Sequence, residues 1–336
     1  MTDALVKTGR LVTVFGGSGF IGRHVVRALA RDGWRVRVAA RRPDLAFHLQ
    51  PLGQVGQIHA VQANLRYPES IASALRDSDA AVNLVGLMKP SGKQKFTTIQ
   101  AAGARSVAEG VRAAGIQKFV HISAIGADPK ASSIYARTKA EGEAAIRDIL
   151  PEGIILRPSV VFGPEDDFFN RFAAMARISP ALPLIGGGKT KLQPVFVGDV
   201  AKAVAGSLNG NVKTGTIYEL GGPEIRSMRE IMEFILATIE RQRLLLPIPF
   251  PLAKLVAFGT EIAEALSLGL FPSTFSLTRD QVELLRRDNI VSEEAKAEGR
   301  SLQAFGLEPE SFETIVPTYL YRFRKAGQFS DQPRVT

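Results

Sequence analysis

Ser123, Tyr135 and Lys139 have the types and spacing needed for proton chemistry at a carbonyl. Tyr135 and Lys139 lie four residues apart in SSIYARTKAEGE, so a helix puts both on one face. A cation beside a phenol favours the phenolate and lowers its pKa, which makes the tyrosine usable as a general acid or base in hydride transfer. Ser123, at the end of the apolar run in VHISAIGA, is placed to hold the substrate oxygen. Tyr-x-x-x-Lys is frequent by chance, and its weight here comes from position: a strand, a serine, then the next helix. The same groups suit ribose binding without turnover, and both readings stand at this point.

A dinucleotide is the partner such a set requires, and VTVFGGSGFIG at Val12 to Gly22 supplies the place for one. Gly16, Gly19 and Gly22 are spaced three apart, and Gly17, Gly19 and Gly22 also satisfy G-x-G-x-x-G. The glycines follow an apolar strand and precede HVVRALARDG, whose Val25, Val26, Leu29 and Ala30 have helical spacing. A strand-to-helix turn of this kind needs positive φ, close approach of a pyrophosphate and tight packing of helix on strand. The free N–H groups of the helix start then face the anion. A site that prefers NAD carries a carboxylate at the end of the second strand for the ribose hydroxyls. Arg41 and Arg42 stand there instead, and guanidinium grips a 2′-phosphate, so NADPH or NADP is the expected cofactor.

The elements that position these residues alternate. Strands are expected at Trp34 to Ala40, Ile58 to Gln62, Ala80 to Val85, Phe119 to Ser123 and Ile154 to Leu156, with helices at Pro68 to Arg76, Phe96 to Ala114 and Ile134 to Ile149. Such alternation predicts a Rossmann-type, doubly wound parallel α/β sheet. Beyond Pro158 the rhythm changes to loops, short helices and one strand, which suits a smaller C-terminal α/β lobe completing a cleft. From Leu244 to Leu277 the chain is rich in proline and apolar residues, and Leu252, Leu255, Val256, Ile262, Ala263 and Leu266 fall on one helical face. Pro247, Pro249, Pro251 and two glutamates leave the segment too interrupted to span a bilayer. Two readings remain: a helix lying on a membrane or partner, and a helix packed on its own domain. The tail around Arg322, Arg324 and Lys325 suits either an interfacial anchor or a frayed terminus.

With 336 residues and 45% hydrophobic content the chain can bury a substantial core. The lack of cysteine excludes disulfides, thiolate nucleophiles and Cys-type metal sites. The four histidines, His24, His48, His59 and His121, lack metal-ligand spacing, so no metal is expected. The opening MTDALVKTGR has neither a signal-peptide core nor a transit-peptide character, so the chain is expected to stay where it is made. A net charge of +9 points to a partner or surface of negative sign or to simple solubility. Without a Lys/Arg run interleaved with aromatics, no nucleic acid is expected.

GGSGFIG, the Arg-Arg-Pro after strand two, NLVG at Asn83 to Gly86, SAIGAD, YARTK, LRPSVVFGPEDDF and PVFVGDVA resemble the extended or atypical short-chain dehydrogenase/reductase superfamily over about residues 10 to 240. Within it, LRPSVVFGPEDDFFNRF with LPLIGGG and PVFVGDVA is most similar to the nucleotide-binding accessory subunit of respiratory complex I, in its alphaproteobacterial form. The resemblance implies that Gly16, Gly19 and Gly22 cradle the pyrophosphate, with Ser18, Phe20 and Ile21 supplying backbone. It places Asn64 beside the adenine, Leu84, Val85 and Gly86 along the cofactor's path, Tyr135 and Lys139 at the nicotinamide ribose, and Pro158, Val160 and Val161 beside the nicotinamide. Asparagine stands at 64 where relatives often carry aspartate, which leaves the detail of the adenine contact open.

In that branch the NADPH is structural, so the expected function is a non-catalytic accessory subunit that binds other complex I subunits. It would sit peripherally on the cytoplasmic side of a bacterial inner membrane, with Leu244 to Leu277 at the membrane surface. The domains expected are residues 1–240, holding the nucleotide with parts of the small lobe inserted from about 158, and residues 241–336, a helical docking segment and tail. Ser123, Tyr135 and Lys139 keep open a soluble NADPH-dependent reductase or epimerase, and a third reading is a redox-sensing regulator.

Overall fold

Apolar, β-branched runs such as LVTVF, followed by the amphipathic helix that starts at Phe20, bury both faces of their strands in a parallel sheet covered by helices. The computed structural model describes residues 9–88, 95–267, 273–325 and 327. It begins with β1 (Leu11–Phe15), α1 (Phe20–Arg31), β2 (Arg35–Ala40), β3 (Ile58–Gln62), α2 (Pro68–Leu75), β4 (Ala80–Asn83), α3 (Ala102–Ala113), β5 (Lys118–Ile122), α4 (Ile134–Ile149) and β6 (Ile154–Pro158). There follow β7 (Val161–Phe162), α5 (Phe169–Ile178), β8 (Ala181–Ile185), β9 (Lys191–Leu192), β10 (Val195–Phe196), α6 (Val197–Asn209), β11 (Ile217–Leu220), β12 (Arg226–Ser227), α7 (Met228–Thr238), β13 (Leu244–Ile248), α8 (Phe250–Leu266) and α9 (Arg279–Leu284).

The chain divides into two units, the first drawn from Met1–Pro158, Val197–Leu220 and Ser292–Glu308. Its seven strands run in the order β3-β2-β1-β4-β5-β6-β11, all parallel. The order reverses at β1, with Phe15 opposite Ala39 on one side and Asn83 on the other, so the ends of β1 and β4 open the crevice where ligands bind in such sheets. One face is covered by α2, α3 and α4, whose Ile71, Leu75, Val107, Val111 and Ile146 close on Phe15, Ala81 and Ile155. Each such side chain contributes about 1.5–3 kcal/mol on full burial. Helices α1 and α6 pack together. The outer strand β11 is not left open: Glu219 N donates to the Arg300 carbonyl at 2.9 Å, and Phe305 meets Tyr218 edge-on.

The doubly wound sheet agrees with the expectation from sequence, with some boundary differences. Strand β6 runs on through Pro158, and the helix expected from Phe96 opens as a π-helical turn, Thr97–Ala101, before α3.

The second unit comprises Ser159–Phe196, Gly221–Val291 and the described part of Pro309–Thr336. It holds more strands than the one expected: β7 pairs with β10, β9 with β12 and β8 with β13. Its core gathers Phe162, Phe169, Leu182, Leu184, Ile231 and Phe312. The tail joins this unit through Arg324, which pairs with Glu240 at 3.2 Å and donates to the Thr238 carbonyl at 3.0 Å.

The proline-rich stretch from Leu244 does not merely break. It forms β13, parallel to β8, with Pro247 opposite Leu184 on a strand that has a free edge for a residue lacking N–H. Helix α8 then inverts the usual choice of face. Ala253 and Ala257 are 1% and 0% exposed against Ile185 and Val282, whereas Leu255 and Leu266 are 66% and 77% exposed, and Leu252, Val256 and Ile262 are exposed with them. No helix among the described residues is long and apolar enough to cross a membrane.

Candidate functional site

The turn between β1 and α1 shows which glycine answers to what. Gly16 has φ of +79°, a left-handed conformation that closes the turn, and its N–H donates to the Ala39 carbonyl at 3.2 Å. A Cβ on Gly22 would sit 2.4 Å from the Gly16 oxygen, so α1 lies against the turn with no room for a side chain. Gly19 differs: a Cβ there would meet only the Gly16 oxygen, at 3.4 Å. Protein packing does not explain that glycine, whereas close approach of a ligand backbone does. Gly19 is also the N-cap of α1, with no side-chain cap and no acid in the first turn, so the amides of Phe20 and Ile21 lack intrahelical partners and face outward with the helix dipole. Ser18 and Phe20 are half-buried at this rim. The geometry fits a pyrophosphate.

Arg41 and Arg42 follow β2, both exposed. Arg42 is engaged by Asp44, with Nη2 to Oδ2 at 2.8 Å and Nε to Oδ1 at 3.1 Å, and this arginine holds the Asp44 carboxyl below its usual range. Arg41 makes no hydrogen bond or ion pair among the described residues. Asn64, after β3, spends its Oδ1 on the turn into α2, accepting from Arg66 N at 3.2 Å. Beyond β4, Leu84 N donates to the Phe15 carbonyl at 2.9 Å and Val85 N to Asn83 Oδ1 at 3.1 Å, which seats this loop against the Gly16 turn.

Helix α4 begins at Ser133, whose side chain accepts from Ala136 N. It carries Lys139 into the interior, 5% exposed, where Nζ donates to the Ile122 carbonyl at 3.1 Å. The ammonium lies against Gly86, where a Cβ would be 3.3 Å away, and 5.9 Å from the centre of the half-buried Tyr135 ring. Burial lowers the Lys139 pKa to about 8, and Glu143 opposes that fall. Burial first, and Lys139 second, push His121 well below its ordinary value, so this imidazole is neutral. Ser123 Oγ is buried with no hydrogen-bond partner among the described residues, an orphan polar atom of the kind a substrate oxygen would satisfy. The structure thus brings Lys139, Gly86, Tyr135 and the end of β5 together. Pro158 is buried at the end of β6, its carbonyl accepting from Ile125 N at 3.0 Å. Val160 and Val161 belong to the second unit, where Val160 packs on the core and Val161 pairs with Val195.

Three features of the interior were not read from sequence. Gln100, in the π-helical turn, donates to the Leu87 carbonyl and accepts from Thr138 Oγ1, both at 2.7 Å, and so ties the β4 loop to α4. Glu143, one turn beyond Lys139, is held by both arms of Arg157 at 2.6 and 2.9 Å, and Arg157 reaches Glu219 at 3.5 Å. Its four-residue spacing from Lys139 was the available signal. In the second unit, Asp166 of GPEDDF accepts from Phe169 N at 2.6 Å, Gly163 N at 3.2 Å and the Tyr319 hydroxyl at 2.6 Å. Burial raises its pKa while these donors pull it down.

Residues 12–221 match the model of the NAD dependent epimerase/dehydratase family. The chain is 32% identical over 323 residues to the mitochondrial NADH dehydrogenase [ubiquinone] 1 alpha subcomplex subunit 9 of Arabidopsis thaliana, covering 95% of this chain and 79% of that protein. It is 30% identical to a ceramide reductase of Caulobacter vibrioides over 86% of this chain and 88% of that one. A solved structure of the dTDP-glucose 4,6-dehydratase DesIV from Streptomyces venezuelae, with NAD and TYD bound, superposes with a TM-score of 0.68 at 20% identity over 93% of this chain and 96% of that one.

Proposed function

The chain belongs to the NAD-dependent epimerase/dehydratase family, and we propose that it serves as a dinucleotide-holding accessory subunit of a respiratory complex I. The observation that carries this reading is similarity to a complex I subunit over 95% of the chain, including the C-terminal part that lies beyond the family model. The exposed stripe of Leu252, Leu255, Val256 and Leu266 supports it, because a subunit docked on a membrane-bound assembly needs an apolar contact face. The partners are then other complex I subunits and the membrane surface, on the cytoplasmic side of a bacterial inner membrane.

The nucleotide is NADPH or NADP. Gly16, Gly19 and Gly22, with the amides at Ser18, Phe20 and Ile21, hold the pyrophosphate, and Arg41 and Arg42 take the 2′-phosphate. Asn64 adjoins the adenine, Leu84, Val85 and Gly86 line the path, and Tyr135 and Lys139 hold the nicotinamide ribose. Pro158, at the end of β6, flanks the ring. Ligand at a thousandfold its Kd stabilises the folded chain by about 4 kcal/mol, which suits a structural role. Purification of the complex from solubilised native membranes tests the reading: this chain and its nucleotide co-purify with the other subunits. Recovery only as a free soluble monomer would sink it.

A second reading is favoured by Ser123, whose buried Oγ lacks a partner among the described residues, and by the similarity to a reductase. When bound, NADPH supplies a hydride. Ser123 Oγ would then orient a carbonyl oxygen, Tyr135 would deliver the proton, and Lys139 would lower the phenol pKa. Loss of nicotinamide absorbance with carbonyl lipids in wild type, absent in Tyr135→Phe, would favour this enzyme over the structural role.

A further inference from the structure

Arg41 and Arg42 are adjacent in sequence but differ in state. Arg42 already has a carboxylate partner: Asp44 takes its Nε at 3.1 and 3.2 Å and its Nη2 at 2.8 Å, which occupies one of the two forks a guanidinium offers. Arg41 has no partner among the described residues. The pair is set by local structure. Pro43 fixes the backbone between the two residues, and Leu45 N donates to the Arg42 carbonyl at 3.2 Å at the start of the 3₁₀ stretch Pro43–Leu52. Both partners are exposed, with side chains 69% and 52% accessible, so the contact is exchangeable and not locked in the core.

A 2′-phosphate entering beside Arg42 meets two obstacles from Asp44. The carboxylate already uses one of the two forks and so leaves fewer donors for the phosphate, and its charge repels the phosphate's own. A dinucleotide with plain ribose hydroxyls meets neither. We propose that Asp44 sets the selectivity of this site, acting as a built-in rival of the 2′-phosphate for Arg42 and leaving Arg41 as the principal phosphate partner. The proposal rests on the reading of Arg41 and Arg42 as the phosphate clamp.

The test measures Kd for NADPH and for NADH on the purified full chain, for wild type, Asp44→Asn, Arg41→Ala, Arg42→Ala and the double variant Asp44→Asn/Arg42→Ala. All positions are exposed, and thermal unfolding checks that each variant folds. The expected result is that Asp44→Asn tightens NADPH about two- to fivefold, the range of an exposed ion pair, while NADH is unchanged. That gain should disappear in the double variant, shrink at high salt, and accompany a larger loss for Arg41→Ala than for Arg42→Ala. Unchanged NADPH affinity in Asp44→Asn overturns the proposal, and so does weaker affinity, which would make Asp44 an orienting partner of Arg42. Failure of the underlying reading looks different: wild type binds NADH as tightly as NADPH and Arg41→Ala changes neither, and the proposal falls with it.

Discussion

Helices α4 and α8 depart from ordinary amphipathicity in opposite directions. Helix α4 turns Thr138, Lys139 and Glu143 into the interior of the first unit, while α8 turns alanines inward and leaves Leu252, Leu255, Val256 and Leu266 in solvent. Buried charge is costly unless paired, and exposed leucine stripes are uncommon on isolated proteins. Each departure therefore has a separate physical reason. In α4 the polar groups are supplied with partners, the Ile122 carbonyl for Lys139 and the Arg157 fork for Glu143, and Lys139 lies against Gly86 beyond β4. In α8 the narrow alanine face allows close packing on Ile185 and Val282, and the wide leucine face is exposed. Inverted burial thus coincides with the ligand site proposed for one helix and with the contact surface proposed for the other.

The largest effect expected is on the α4 side. Glu143→Gln leaves Arg157 mostly buried without its main partner and should cost about 3 kcal/mol in urea unfolding, with nucleotide present or absent. A cost below about 1 kcal/mol would mean that the pair contributes little and that α4 is held by its apolar contacts alone.

Next in size is a pH effect. The Lys139 pKa is 10.5 when unfolded and about 8 when folded, because burial disfavours its charge. Between those values the unfolded chain binds a proton that the folded chain has lost, so this lysine makes stability rise as pH rises from about 8 to 10.5, by about 3 kcal/mol in all. Urea unfolding at the two ends of that window should show the slope in wild type and not in Lys139→Met. Nucleotide affinity should move the other way, falling above about pH 8 as the ammonium is lost.

On the α8 side, Ala257→Leu overfills the contact with Ile185 and Val282 and should destabilise by about 1–3 kcal/mol. The smallest stability effect belongs to Leu255→Gln with Leu266→Gln, within about 0.5 kcal/mol of wild type, since nothing in the described structure covers either side chain. If the comparison holds, flotation with vesicles or recovery with the respiratory complex drops sharply in that variant while its melting point does not. Unchanged association would leave the exposed leucines without a role.

The strand–helix alternation and the glycine turn were legible in sequence because both are local: period and punctuation specify them within a few residues. Ile58–Gln62 and Ile134–Ile149 have the bounds expected from sequence. The six-residue stripe on α8 was also legible as a stripe, but its orientation was not, because the choice between leucines and alanines as the inward face depends on Ile185 and Val282, far away in the chain. Arg157 was hidden for the same reason: its partners Glu143 and Glu219 come together only when β6 and β11 pair. Gln100 gave little signal, since a glutamine inside an apolar helical run reads as a surface position until the π-helical turn carries it inward.

The closure of β11 by Ser292–Glu308 has a consequence for how the chain is made. A ribosome extends the chain at about 5–20 residues per second, so all seven strands of the first unit emerge before the segment that covers the edge of the last one. For seconds the nascent sheet presents β11 with unpaired backbone groups, a template for another chain. The edge closes only once Arg300 and Phe305 arrive to cover it.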